Sequence, residues 1–211
     1  MKKIFENNYP SVTGVLGVLR KIGLENWFKV NTPEFIKTES DKGKEIGKIL
    51  HEAIESHIDK EKISFETEYP EEVKIALQSF FLFKKENPEI MLKKAEMKLT
   101  SEKYKFNGVM DCLAVYKGQN IIMDWKTGTA KEKEKPGIYD EMKYQISAYV
   151  YLYNEVMKKD VDTAMIIVFA KDKIAYNQLI LTKNYIDRKF EKVFLNCLEI
   201  WNEQQKEKEG N

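Results

Sequence analysis

Residues 106 to 128 read FNGVMDCLAVYKGQNIIMDWKTG, two apolar runs joined at Lys117-Gly118. Glycine suits a tight hairpin turn. If Tyr116 faces Gln119, the same register carried to the far end of the runs sets Asp111 opposite Asp124. Directly opposed side chains have Cβ atoms roughly 4.5–5.5 Å apart. Two carboxylates that close repel unless they share a cation, and a divalent ion turns the repulsion into ligation. Alternation along the strand puts Ile122, Asp124 and Lys126 on one face and Ile121, Met123 and Trp125 on the other. Lys126 is therefore expected beside both carboxylates. The reading depends on register, because a slip of one residue would send one carboxylate to the opposite face.

An isolated Asp-x-Lys is most often a same-face ion pair at a strand end. Here the triplet follows Ile121-Ile122-Met123, a β-favouring run, and stops at Thr127-Gly128, where the strand should emerge. Charged residues at the end of a buried strand need a reason. Gly108-Val109-Met110-Asp111 on the partner strand supplies one in the form of a metal site.

Working outward, Ser11 is a candidate N-cap for a short helix through Lys21. A longer helix is predicted from about Asp41 to Asp59, where Ile46, Leu50, Ala53, Ile54 and Ile58 recur at helical spacing. Gly43, Gly47, His51 and Glu55 follow one another at intervals of four along one edge of it. Each interior glycine costs about 1 kcal/mol relative to alanine, so two on the His51 edge point to close approach of another backbone or of a phosphate. A lone histidine there is otherwise a partly buried, hydrogen-bonded residue. A further helix covers Glu71 to Glu86 and ends at Asn87-Pro88, because the residue before proline resists helical geometry.

Strands then run from about Leu92 to Thr100, from Phe106 to Tyr116 and from Gln119 to Thr127, a three-stranded meander. Glu96 in the first of these stays outside the expected site, since a solvent-facing strand residue is at least as good a reading. The charged stretch 129–137 reads as an exposed loop, either simply solvated or a mobile flap touching a ligand. A helix from Ile138 to Met157 follows, with Gln145 and Tyr149 adjoining on its surface. Strands Thr163 to Ala170 and Ala175 to Leu181 complete the sheet. A last helix runs from Lys183 to Gln205, with a tail to Asn211 that should fray in solvent.

Gly108-x-x-Asp111 followed by Asp124-x-Lys126-Thr-Gly resembles the PD-(D/E)xK nuclease core, specifically its RecB-like, Cas4-like exonuclease branch. That branch also carries a histidine on an upstream helix and a Gln-x-x-x-Tyr helix after the lysine. His51 in Gly47-Lys-Ile-Leu-His51-Glu and Gln145-Ile-Ser-Ala-Tyr149 match these in order. Tyr9-Pro-Ser-Val-Thr-Gly-Val-Leu is also similar to the opening of the mitochondrial genome maintenance exonuclease and related phage exonucleases. The resemblance implies an α/β, restriction-endonuclease-like core with a central mixed β-sheet flanked by helices and an N-terminal helical region. One nuclease domain is expected over 1–211, with 1–90 walling the DNA cleft, 91–182 forming the core and 183–211 the C-terminal helix.

Some members of that branch hold an iron–sulfur cluster on four cysteines, whereas this chain has two, Cys112 and Cys197. Four thiolates are needed, so a cluster-free nuclease is expected, with both cysteines as buried apolar residues. The resemblance implies hydrolysis of a DNA phosphodiester with one or two Mg²⁺ or Mn²⁺ ions. Their ligands would be Asp111, Asp124 and the backbone carbonyl of Trp125, with His51 as an additional ligand. Oxygen-rich ligation suits these hard cations. Asp111, Asp124 and Lys126 are the expected catalytic residues, Lys126 stabilising growing negative charge. Gln145 and Tyr149 would hold substrate or order the site.

A single-strand-preferring DNA exonuclease acting on free ends is the expected activity. A DNA endonuclease of the same fold and a non-cleaving, nuclease-derived DNA-binding protein are the alternatives. Tyr9, Trp27 and Phe28 are candidates to stack on bases, or else core residues.

The 211 residues, 43% hydrophobic and 12% aromatic, suffice for one substantial core. The formal net charge is only +1, so any nucleic-acid surface must come from charge distribution rather than its sum. Nearly all the cations are lysines, which suit phosphate contacts better than bidentate base reading. No apolar run approaches a membrane span and the first residues lack the hydrophobic region of a signal peptide. A cytoplasmic location, in a cell or an infected host, and no membrane partner are expected.

Overall fold

Lys117 and Gly118 both take positive φ, +50° and +79°, the backbone that a two-residue hairpin matched to strand twist requires. This turn joins β2 (Phe106–Tyr116) to β3 (Gln119–Gly128). Tyr116 pairs with Gln119, and the register holds through Cys112 and Met123. The computed structural model describes residues 5–20, 27–59 and 68–209.

Around the hairpin the sheet has the order β1-β2-β3-β4-β5, where β1 is Met91–Ser101, β4 is Thr163–Ala170 and β5 is Tyr176–Thr182. All neighbours are antiparallel except β3 and β4, which are parallel. A parallel pair needs a crossover, and α4 (Asp140–Met157) supplies it. From Ala164 to Ala170 β4 is continuously buried, as expected of a parallel strand covered on both faces. The mixed sheet flanked by helices is the expected α/β, restriction-endonuclease-like architecture.

Two apolar layers lie on the two faces. One holds Ile122, Met110 and Phe106 of the sheet with Ile146, Tyr149 and Leu152 of α4, and with α1 (Val12–Leu16). Phe190 and Phe194 of the C-terminal helical segment join it. The other packs Ile121, Met123 and Trp125 against α2 (Pro33–Ile58) and α3 (Glu71–Glu86). Cys112 lies in this second layer and Cys197 in the first.

Several boundaries move. The second expected helix starts at Pro33 rather than Asp41: Thr32 caps it through the Phe35 N–H and Pro33 occupies the first turn, where its missing N–H costs nothing. Its apolar stripe begins only at Ile46, so the first half has no buried residue. Each fully buried Leu or Ile contributes roughly 1.5–3 kcal/mol; the second half is held by packing, the first by its cap and helix continuity. The first helix is five residues long and turns at Gly17, and Lys21 lies outside the described residues. α4 begins at Asp140, not Ile138. The C-terminal helix comprises α5 (Lys183–Lys189), a π-helical segment (Phe190–Phe194) and α6 (Leu195–Glu209). It extends past Gln205, its exposed end carrying a 2.6 Å Glu203–Lys206 ion pair; residues 210–211 lie outside the described range.

Candidate active site

The β2–β3 ladder stops one step short of the two aspartates. Instead of pairing across to Asp124 through the backbone, Asp111 accepts the Trp125 N–H on Oδ2 at 2.9 Å. The carboxylate thus replaces a strand at the point where β2 and β3 part. The expected Asp111–Asp124 ladder pair is therefore not formed, and the reason is an irregularity in β2. Met110 and Cys112 fall in opposite apolar layers although alternation would put them on one face. On β1 the matching position is Glu96, between the pairs Ala95–Cys112 and Met97–Met110, and its φ is +48°. A non-glycine residue in that region is uncommon and is held by its surroundings.

This irregularity aims Glu96 and Asp111 at His51 of α2. Nδ1 of His51 lies 3.6 Å from Oε1 of Glu96 and 3.7 Å from Oδ1 of Asp111. The three ligand atoms fall within 4.8 Å of one another. Nε2 of His51 lies 3.1 Å from the Trp125 carbonyl; a carbonyl only accepts, so Nε2 carries the proton. Nδ1 of the neutral ring then presents a lone pair to two carboxylates, an arrangement that calls for a proton or a cation between them. Burial pulls the His51 pKa down, but the Glu96 hydrogen bond and the charge of Asp111 outweigh it and the net shift is upward.

Asp124 is fully buried. Its Oδ2 makes a 2.5 Å ion pair with Nζ of Lys126, off the angle of a directed hydrogen bond, and Oδ1 has no partner. Lys126 also lies 3.8 Å from Asp111 and donates to the Trp125 carbonyl at 3.3 Å. Burial pushes the Asp124 pKa up to about 7, with Lys126 opposing and Asp111 reinforcing. Burial pulls Lys126 down, yet Asp124 and Asp111 together leave it raised. Lys126 faces more than one carboxylate, so attraction outweighs its burial, whereas Asp124 faces one lysine and a second acid, so its burial prevails.

Glu96, Asp111 and Asp124 around Lys126 and His51 form an acid-rich pocket with an orphaned buried oxygen. A hard divalent cation fits that donor set. His51, Asp111, Asp124, Lys126 and the Trp125 carbonyl are all brought together, as the sequence predicts. Glu96, which the sequence reading leaves outside the expected site, joins them, because its place opposite Asp111 depends on the β1 register and a left-handed backbone. Asp124 sits outside the His51–Glu96–Asp111 triad, on its Lys126 side.

Gln145 and Tyr149 of α4 adjoin as expected, with Gln145 Nε2 donating to the Tyr149 hydroxyl at 2.9 Å. The Tyr149 ring is buried in the first apolar layer, and burial, with the charges of Asp124 and Asp111, drives its pKa well up. A Cβ on Gly108 would lie 2.8 Å from Leu152 and 2.9 Å from this ring, so Gly108 is required by close packing. The glycines of α2 differ: Gly47 meets only Thr127 Oγ1 at 3.9 Å, and Gly43 meets nothing within 4 Å. Among the described residues no backbone crowds that edge. Tyr9 is tied down by Glu102 and Lys105, while Phe28 is exposed and packs edge-on against Trp27.

The family model of the PD-(D/E)XK nuclease superfamily matches residues 24–209. The chain belongs to this superfamily. Asp124-Trp125-Lys126, the D-x-K spacing read in the sequence, lies within the matched range on β3, where β2 and β3 part. Among solved structures, the nuclease is similar to a candidate exonuclease from Eubacterium rectale, with 14% identity over 74% of this chain and 68% of that one and a TM-score of 0.52. It is also similar to the protein SSO0001, with 18% identity, 90% and 77% coverage and a TM-score of 0.44. A phage-related exonuclease from Haemophilus somnus aligns at 15% identity over 64% and 70% of the two chains, with a TM-score of 0.42. A search of curated proteins finds no match. At these identities the structural likeness concerns the fold.

Proposed function

We propose that this nuclease is a Mg²⁺- or Mn²⁺-dependent DNA exonuclease that prefers single strands or free ends. The observation that carries the reading is the convergence of His51 Nδ1, Glu96 and Asp111 within 4.8 Å, beside the buried Asp124–Lys126 pair. His51, Glu96 and Asp111 would hold the cation, with Asp124 and the Trp125 carbonyl completing the site on the Lys126 side. When bound, the ion supplies Lewis-acid polarisation of the phosphoryl group and a water nucleophile usable at neutral pH.

The protein's own groups do the remaining work. Asp111 fixes the strand split by holding the Trp125 N–H. His51 is oriented by its Nε2–H to the Trp125 carbonyl, which leaves Nδ1 facing inward. Lys126 brings a positive charge, kept protonated by its acidic neighbours, to the phosphate as negative charge grows in the transition state. Gln145, aligned by Tyr149, offers an amide to substrate. The first half of α2, which has no buried residue, and the exposed Phe28 beside half-buried Trp27 support a preference for unpaired strands, since aromatic faces stack on bases. Among the described residues no helix is long and apolar enough to cross a membrane, and cytosolic action fits this reading.

The test is digestion of end-labelled linear and of circular single-stranded DNA with Mg²⁺, Mn²⁺ or EDTA. Metal-dependent loss of the linear strand alone is expected, and Asp111→Asn, Asp124→Asn and Lys126→Ala should each abolish it. Cutting of circles would make the protein an endonuclease. DNA binding without cleavage by the folded protein would instead establish a nuclease-derived binding protein.

A further inference from the structure

The loop between β3 and α4 leaves the sheet two residues beyond Lys126. Lys131, Lys133 and Lys135 are exposed on it, alternating with Glu132 and Glu134. A connector of this composition is usually mobile, but this one is fastened along its length to the β4–β5 turn. The N–H groups of Ala130 and Lys131 donate to the two carboxylate oxygens of Asp172, at 3.0 and 2.7 Å. Lys171 N–H donates to the Gly128 carbonyl at 2.9 Å, Lys173 Nζ to the Lys133 carbonyl, and Asn177 to the Pro136 carbonyl at 2.9 Å.

Two successive backbone N–H groups gripping one anion form a nest, and here the anion is a side chain of the protein itself. Lys131 holds φ +53° to make it, a conformation that costs a non-glycine residue energy. Within the loop Ala130 and Pro136 are buried in return. Asp172 is drawn below the usual carboxylate range: burial opposes this, and the hydrogen bonds from Ala130 and Lys131 prevail. Its charge is thereby taken up by the backbone and by Lys173, which leaves Lys131, Lys133 and Lys135 alternating with two glutamates. A strand advances about 3.3 Å per residue, so this basic lobe begins within a few nucleotide spacings of Lys126. Lysines are flexible point charges suited to phosphate and indifferent to base.

We propose that the 129–137 loop is a preformed contact surface for the DNA sugar–phosphate backbone flanking the scissile bond, with Lys131, Lys133 and Lys135 as phosphate contacts and Asp172 as their positioning residue. The inference rests on the nuclease reading for its ligand, but its test does not require cleavage.

The test measures binding of a single-stranded 30-mer in Ca²⁺ or EDTA as a function of NaCl, for wild type and for Lys131→Gln/Lys133→Gln/Lys135→Gln. Each lost phosphate contact lowers the slope of log affinity against log salt by about 0.7 on single strands; the triple variant should therefore lose about 2 in slope. Its KM for DNA should rise, while its turnover of a small phosphodiester such as the p-nitrophenyl ester of thymidine 5′-monophosphate stays at the wild-type level. Asp172→Ala, which keeps the lysines, should speed hydrogen exchange at Ala130 and Lys131 and lose part of the same slope. An unchanged slope in the triple variant overturns the loop proposal even if the wild type cuts DNA. A wild type that binds DNA without cutting, and loses slope in the triple variant, keeps the loop proposal and overturns the exonuclease reading; absence of both binding and cutting overturns both.

Discussion

Asp111 accepts the backbone N–H of Trp125 on Oδ2 at 2.9 Å and turns its other oxygen, Oδ1, toward His51. One carboxylate thus closes the gap left where β2 and β3 separate and also contributes to the acidic triad. Any loss at this position should affect both the strand split and the proposed metal site. The neighbouring groups, whose structural and chemical roles are more separable, provide cleaner tests.

Glu96→Gln keeps the size of the side chain and removes one charge from the triad. Mn²⁺ affinity, measured by calorimetry, should fall by at least about tenfold, a loss typical even of an outer-shell partner. In EDTA the variant should melt at or above the wild-type temperature because like-charge repulsion is relieved, and the Mn²⁺-induced rise in Tm should shrink. Wild-type Mn²⁺ affinity in this variant would remove Glu96 from the ligand set.

Lys126→Met leaves Asp124 buried without its cation. Breaking a buried pair costs about 3–5 kcal/mol, and the lower end is expected because Asp124 already leans toward its neutral form. Adding Asp124→Asn should recover much of that loss, giving a coupling energy in a double-mutant cycle by urea unfolding in EDTA. Additive effects would show that the pair contributes no mutual stabilisation.

Gly108→Ala inserts a methyl against Leu152 and the Tyr149 ring at under 3 Å. Overpacking of this kind costs about 1–3 kcal/mol, readable as a lower urea midpoint with unchanged m-value. A neutral result would mean that α4 can retreat from β2 without penalty.

Tyr149→Phe removes the acceptor of the Gln145 amide and nothing else. Stability should change by no more than about 1–1.5 kcal/mol, while KM for DNA rises and kcat changes less. Equal kinetics would leave Tyr149 as a core residue only.

His57 gives a pH signature away from the site. Its pKa is lowered by burial and by Lys84, whose Nζ lies 2.7 Å from Nε2. The unfolded chain therefore binds the proton more readily than the folded one. Stability is retained above the ordinary histidine value of 6.5 and declines as pH falls below it. The drop in Tm between pH 7.5 and 5.5 should be smaller in His57→Gln than in wild type, and an equal drop would show that His57 does not contribute.

The sequence alone determined the hairpin, its turn and its register from Tyr116–Gln119 to Cys112–Met123, because a glycine turn and period-two burial are local properties of the chain. The hairpin register grouped Asp111, Asp124 and Lys126, and the resemblance to the nuclease family added His51 to them. The start of α2 was written in Thr32-Pro33, but the apolar stripe, beginning only at Ile46, masked it. Three features were decided only in three dimensions. The ladder ends before Asp124 because an irregularity shared by Glu96 and Asp111 shifts side-chain phase, and pattern reading assumes unbroken alternation. Glu96 enters the triad through the β1–β2 register and a left-handed φ, neither of which composition encodes. The 129–137 loop is fixed by Asp172, some forty residues away, so a segment that looks free in sequence is held by backbone hydrogen bonds that only the packed β4–β5 turn can provide.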